Sequence, residues 1–235
     1  LVRSRGLGDV YKRQDMHFAG RMINSPNDYD VVIKLIPTKN DNYFVCMRLC
    51  SIQDNRFAYR KNALPTSMHP SQAALIVSLA KPYLKETAQI MDPFCGVGTL
   101  LIERAHLVPA REIYATDTYG DAITMGRENA AFAKTRINFI HRDFFDFRHD
   151  YKFDELITDM PVRNRQTKAE MELFYERFFD KAAEHLVSGG IIVMYSNEIG
   201  FVKKQIRLRV EYRLLQETCI LDKNDFYLFV IRYED

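Results

Sequence analysis

From residue 89 onward the chain alternates short apolar runs with longer amphipathic segments. Gln89-Ile90-Met91, Glu112–Asp117, Arg136–His141, Phe153–Asp159 and Ile191–Tyr195 are rich in β-branched and aromatic residues. Runs of that length and make-up predict buried strands. Between them the apolar positions follow helical spacing: Leu100 to Ala105, then Ala122, Met125, Asn129 and Phe132, then Met171, Phe174, Phe178, Ala182 and Leu186. Thr167 with Glu170 forms a capping box at the start of that last helix, and Gly189 is expected to stop it. A short helix over 202–208 precedes two strand-like runs at 212–221 and 225–232. Helical crossovers between buried strands imply a parallel sheet, and the closing pair adds an antiparallel strand. The pattern predicts an α/β fold.

Upstream, Asp30–Ile36 and Tyr43–Cys50 read as a β-hairpin around a polar turn at 37–42. Cys46 and Cys50 share one face of its second strand and are expected to be buried filler. Arg56–Lys61 is a basic and aromatic connector. A helix follows, with Pro70 at its first position, His69 as a polar cap and Pro82 as its end. Ala74, Leu75, Leu79 and Ala80 are its expected buried face. Asn129, set on an apolar helix face, must find hydrogen-bond partners. Residues 1–14 resemble translated sequencing-adapter sequence and are set aside. The expected organisation is therefore a hairpin remnant and junction at 15–60 and a main domain at 61–235.

Composition narrows this picture little. At 235 residues, 47% hydrophobic and 27% charged, the chain can bury a sizeable core, and a formal charge of +2 points to no class of partner. The four cysteines and six histidines show no metal-ligand spacing, so no metal is expected. The cysteines read as reduced core thiols of a cytoplasmic protein. No apolar run approaches the roughly 20 residues of a membrane span.

The chemistry concentrates at strand ends. Asp92, Asp117, Asp143 and Asp159 each close a successive predicted strand. A parallel sheet aligns those ends along one edge, where open α/β folds bind ligands. One such acid is commonly a helix cap; four at the same edge, with like charges crowded together, favour a ligand site. After Asp92, the turn Pro93-Phe94-Cys95-Gly96-Val97-Gly98-Thr99 leads into a helix start, where free amides and the helix dipole attract an anionic group. The turn lacks the third glycine of a dinucleotide fingerprint, and the chain has no phosphate-binding P-loop. Asp117 suits a ribose diol, and Asp143 with Phe144 suits an adenine. An adenosine carrying an amino-acid tail fits these features.

The stretch Asp92–Thr99 followed by Ile102-Glu103 resembles motif I of class I S-adenosylmethionine-dependent methyltransferases, in the version of the THUMP-associated RNA guanine-N2 methyltransferases. Ala115-Thr116-Asp117 with Asn129 resembles their second motif, Phe139–Asp143 their third, and Arg56–Arg60 their junction with the RNA-binding THUMP region. The resemblance implies a Rossmann-like sheet of seven strands in the order 3-2-1-4-5-7-6, last strand antiparallel, behind an N-terminal hairpin remnant. It also implies S-adenosylmethionine as cofactor, held by Asp92, Gly96, Gly98, Asp117 and Asp143; Phe94, Thr99 and Phe144 are counted with them.

The family's [Asn/Asp]-Pro-Pro-aromatic motif stands here as Asp159-Met160-Pro161-Val162. Asp159, Met160 and Pro161 are the expected catalytic residues, with the Asp159 carboxylate and the Met160 carbonyl accepting the hydrogens of an exocyclic amine. Val162 cannot stack on a base; Arg163, Arg165 or Tyr175 could cover it. Arg163, Arg165, Lys203, Lys204 and Arg207 are expected RNA contacts, although most charge runs are solvated faces. The expected function is methylation of a guanosine amine in structured RNA, tRNA before rRNA. A non-catalytic methyltransferase-like RNA-binding module and an amine-directed DNA methyltransferase stay open as alternatives.

Overall fold

The computed structural model describes residues 29, 31–39, 42–49, 55–221 and 226–235, in two compact units that divide between Asn55 and Arg56. Residues 1–14 and Cys50 lie outside the described residues. No helix among the described residues is long and apolar enough to cross a membrane.

In the first unit, β1 (Val31–Pro37) and β2 (Tyr43–Leu49) form the expected antiparallel hairpin. Its turn is closed by Thr38, whose amide and hydroxyl both donate to the Asn42 carbonyl at 2.8 and 3.0 Å. Ile33 faces Met47 and Leu35 faces Val45 on one side of the ribbon. Cys46 is exposed rather than buried, and its cross-strand partner is Lys34. Among the described residues of this unit, the two strands have no second layer to bury side chains between.

The second unit runs α1 (Pro70–Ala80), β3 (Gln89–Asp92), α2 (Thr99–Leu107), β4 (Glu112–Asp117), α3 (Gly120–Phe132), β5 (Asn138–His141) and β6 (Phe153–Asp159). It continues α4 (Lys168–His185), β7 (Leu186–Ser196), α5 (Ile199–Leu208), β8 (Tyr212–Leu221) and β9 (Phe226–Tyr233). Its seven strands lie in the order β5-β4-β3-β6-β7-β9-β8. Counted from β3, this is the expected 3-2-1-4-5-7-6. Strands β3 to β7 are parallel, and β9 inserts antiparallel between β7 and β8.

Period-two alternation sends side chains to two cores. Ile90, Ala115, Phe139, Ile157 and Val193 pack with α1, α2 and α3; Met91, Leu156, Ile192, Met194 and Phe229 pack with α4 and α5. The sheet is covered on both faces, as parallel sheets are. Pro70 starts α1 and His69 caps it, accepting from the Ser71 amide. Helix α1 buries Ala73, Ile76 and Val77 together with the expected Ala74 and Ala80, while Leu75 is 47% exposed. The helix is apolar almost all round, so hydropathy alone did not choose its inner stripe. Helix α3 buries Ala122, Ile123, Gly126, Asn129 and Ala130 and leaves Phe132 59% exposed, the Lys61 ammonium 5.3 Å from its ring centre. The Thr167–Glu170 capping box is present on α4, which ends at His185; the chain enters β7 at once, so Gly189 lies within that strand.

Gly126 escapes a hydropathy reading because its role is steric. A Cβ there would stand 2.6 Å from the Phe139 ring, and one on Gly98 would stand 2.8 Å from the same ring. Phe139 thus sets the closeness of α3 and the Gly98 turn to the sheet. Gly126→Ala is expected to cost about 1–3 kcal/mol through overpacking. A denaturant midpoint unchanged from that of the parent would refute this.

Candidate active site

Strand order reverses at β3, which feeds β4 on one side and pairs with β6 on the other. Such a switch point opens a crevice at the strands' carboxyl ends. Here it holds a cavity of about 660 Å³ lined by Asp92, Asp117 and Asp159, three of the four strand-end acids. Asp92 is buried and accepts the Phe94 amide at 3.0 Å. Burial pushes its carboxyl well above the usual range, with the nearby Asp159 and Asp117 charges adding to the shift. Burial likewise pushes Asp159 up to about 7. Asp117 is anchored by two amides, Gly96 on Oδ2 at 2.8 Å and Tyr119 on Oδ1 at 2.9 Å. Each of its oxygens retains a lone pair for a further donor.

The glycine turn needs its glycines. Gly96 and Gly98 have φ of +51° and +78°, a region that side chains disfavour. Nothing stands within 4 Å of the place a Gly96 Cβ would occupy. Gly98 provides no side-chain cap for α2, and Thr99, at the helix start, keeps a buried hydroxyl without a partner. Thr99, Gly96 and Phe94 all line the cavity. Cys95 also lines it, but burial raises its thiol, with Asp92 and Asp117 adding to the rise, and so suppresses the nucleophilic thiolate.

Two expected cofactor contacts fall elsewhere. Asp143 is not among the cavity's lining residues; it caps a short turn, its carboxylate accepting the Phe145 amide at 2.9 Å. Phe144 is 1% exposed and packed against Phe94, Phe178 and His185. The aromatic that does line the cavity near Asp117 is Tyr119, which is largely exposed. The signal for it was an aromatic two residues past a strand-end acid. Leu64, Thr66, Ser67 and Met68 form another wall that the sequence reading missed. They belong to the loop before α1, which carries no motif of its own.

Asp159, Met160, Pro161, Val162, Arg163 and Asn164 line the same cavity. The Met160 side chain is buried in the core and its amide donates to the Tyr195 carbonyl at 2.9 Å, so its offering to a ligand is confined to the backbone. Val162 is 51% exposed.

Residues 58–218 match the RMKL-like, methyltransferase domain family. The chain belongs to that family. Among curated relatives it is similar to the tRNA (guanine(10)-N2)-dimethyltransferase of Methanothermobacter thermautotrophicus, 31% identical over 74% of this chain and 54% of that one. It is also similar to the release factor glutamine methyltransferase of Lactococcus lactis, at 25% identity over 58% of this chain and 56% of the relative. The chain spans about half the length of these relatives. TrmN from Thermus thermophilus has the same fold, with a TM-score of 0.72 at 20% identity, covering 96% of this chain and 67% of that one. Methanocaldococcus jannaschii Trm5, solved with adenosine, gives 0.56 at 19% identity over 72% and 51%.

In this RMKL-like domain the expected base-covering residues separate. Arg163 lines the cavity and pairs with Glu198 at 3.6 Å, whereas Arg165 is not among the lining residues. Tyr175 is fully buried, its hydroxyl 2.6 Å from Ser196 Oγ, and does not reach the site. Lys203 pairs with Glu217 at 2.8 Å and Lys204 with Glu172, so part of the basic cluster is offset by carboxylates. Among the described residues, Arg165 and Arg207 make no ion pair.

Proposed function

We propose that this domain transfers a methyl group from S-adenosylmethionine to the exocyclic N2 amine of a guanosine in structured RNA in the cytoplasm, with tRNA ahead of rRNA. The observation that carries the reading is one cavity lined together by Asp159, the glycine turn and a doubly anchored acid. The donor's parts have matching groups. Asp117 keeps acceptor capacity for a ribose diol, Tyr119 offers a ring face to adenine, and the Thr99 hydroxyl with the α2 start offers donors to a carboxylate. The open space at Gly96 leaves room for a ligand against the backbone.

When bound, S-adenosylmethionine supplies an electrophilic methyl on a sulfonium. The Asp159 carboxylate accepts a hydrogen of the target amine, and the Met160 carbonyl, one residue on, takes the second. Holding both hydrogens in fixed directions turns the nitrogen lone pair toward the methyl. The negative charge on Asp159 also stabilises a nitrogen that becomes positive. The product ammonium is acidic and needs no strong base.

The tRNA relative supports the RNA substrate, and the glutamine methyltransferase relative keeps a protein amide in the test. The chain is incubated with labelled donor and, separately, with total RNA, DNA and protein. Label in tRNA is expected. Label confined to protein or DNA would overturn the substrate, and donor binding without any transfer would identify a non-catalytic module.

Arg163 covers the target base in place of the missing aromatic, a role supported by its lining the cavity. Arg163→Ala is expected to raise KM for RNA about tenfold, in line with loss of one stacking contact. Arg165→Ala should change it far less. Equal effects of the two substitutions would contradict this assignment.

A further inference from the structure

Asn129 sits on α3, fully buried, at a place the mechanism above does not use. Its Oδ1 accepts two backbone amides of the connector, Lys61 and Asn62, both at 3.0 Å. Two N–H groups can be met only by the amide oxygen, so the orientation of this side chain is fixed by its surroundings. The Nδ2 group then faces two carbonyls, Asn62 at 2.9 Å and Val97 at 3.4 Å. Val97 is the residue between the two left-handed glycines of the cavity turn, and it lines the cavity itself.

The connector is held at further points. Tyr59 donates to the buried Glu103 of α2 at 2.6 Å, and Arg56 pairs with the same carboxylate at 3.5 Å. Arg60 donates to the Ser67 and Met68 carbonyls at 3.3 and 3.2 Å. Ser67 and Met68 are cavity wall. One side chain therefore joins the connector that leads into one wall to the glycine turn that forms another.

We infer that Asn129 is a positioning residue: it locks the connector at 61–62 to the Val97 carbonyl, and so holds the cavity's two walls at the spacing the methyl donor requires. The inference rests on the reading of this cavity as the donor's seat. The donor's affinity thereby depends on the seating of the connector.

The test uses the full chain and calorimetric titration with S-adenosylmethionine. Asn129→Ala is expected to weaken binding about tenfold. Asn129→Asp keeps the acceptor for both connector amides but, when ionised, has no donor for the Asn62 or the Val97 carbonyl. It should therefore bind weakly at pH 8 and regain affinity relative to the parent as pH falls, because the protonated acid again donates. A merely structural role would not produce that pH-dependent ratio. Phe229→Leu, a core change in β9 distant in sequence from the cavity, serves as a stability-matched control and should bind as the parent does. If the parent binds no donor, the reading of the cavity fails. If the parent binds and Asn129→Ala binds equally well, or the Asp variant shows a pH-independent ratio, the positioning role is overturned while the cavity reading stands.

Discussion

Replacing Asp159 by alanine is expected to lower methyl transfer by about 10²–10³-fold, the usual cost of deleting one preorganised electrostatic partner of a transition state. Donor affinity should change little, since Asp117 and the glycine turn are untouched. The effect is large because Asp159 has two tasks, accepting a hydrogen and opposing a growing positive charge. Burial raises its carboxyl to about 7. The carboxylate is the competent form, so kcat/KM should fall as pH drops below about 7. Asp159→Asn keeps one acceptor oxygen without the charge. It should be slower than the parent yet lose that acid limb of the profile. A limb that persists in Asp159→Asn would move the titration to Asp92, the other raised carboxyl at the site. The same shift has a stability sign. A folded pKa above the unfolded value of about 3.9 means the folded protein binds the proton more tightly. Asp159 therefore costs stability above pH 7, and the cost disappears as pH falls from 7 toward 4. A saturating assay paired with calorimetric donor binding separates these effects.

Arg104→Ala should produce the largest loss of stability. Arg104 on α2 and Glu155 on β6 are both fully or almost fully buried and meet at 2.9 and 3.0 Å through two guanidinium nitrogens. The guanidinium also donates to the Lys85 and Val108 carbonyls, and Glu155 accepts the Lys85 amide at 2.8 Å. The pair ties the helix that begins at the glycine turn to the strand that ends in Asp159. Removing one partner leaves a buried charge unopposed, at a cost of about 3–5 kcal/mol. For a domain of this size that lowers Tm by roughly 10 °C. The double change Arg104→Met with Glu155→Leu removes both charges and should recover most of the loss, because burying an ion pair stabilises little beyond an apolar pair of similar size. A thermal melt of the parent and the two variants decides it: an alanine variant within about 1 kcal/mol of the parent would show that water reaches Glu155.

Where the sequence succeeded, the signal was local. The strands at 112–117 and 153–159 and the capping box at Thr167 follow from propensity, alternation and one side chain meeting its own backbone. The glycine turn was legible because left-handed backbone beside a ligand selects glycine. Where it failed, two equally apolar stripes competed, as on α1, or a steric demand left no mark on hydropathy, as at Gly126. The hairpin cysteine failed for a related reason: alternation says which residues share a face, not whether anything covers it.

Residue pattern alone was enough for the order of elements, the mostly parallel α/β sheet they imply, and the acids that end successive strands. Those are consequences of short-range geometry and of the period of a strand. Only the tertiary structure decided which acids share a cavity, since the last turn of backbone after each strand sends Asp117 inward to Gly96 and Tyr119 but spends Asp143 on capping Phe145. It also decided that Arg163 rather than Arg165 or Tyr175 faces the site, and that Asn129 satisfies its amide on the connector and the glycine turn. Those outcomes depend on partners far along the chain, whose distance is set by packing and not by sequence spacing.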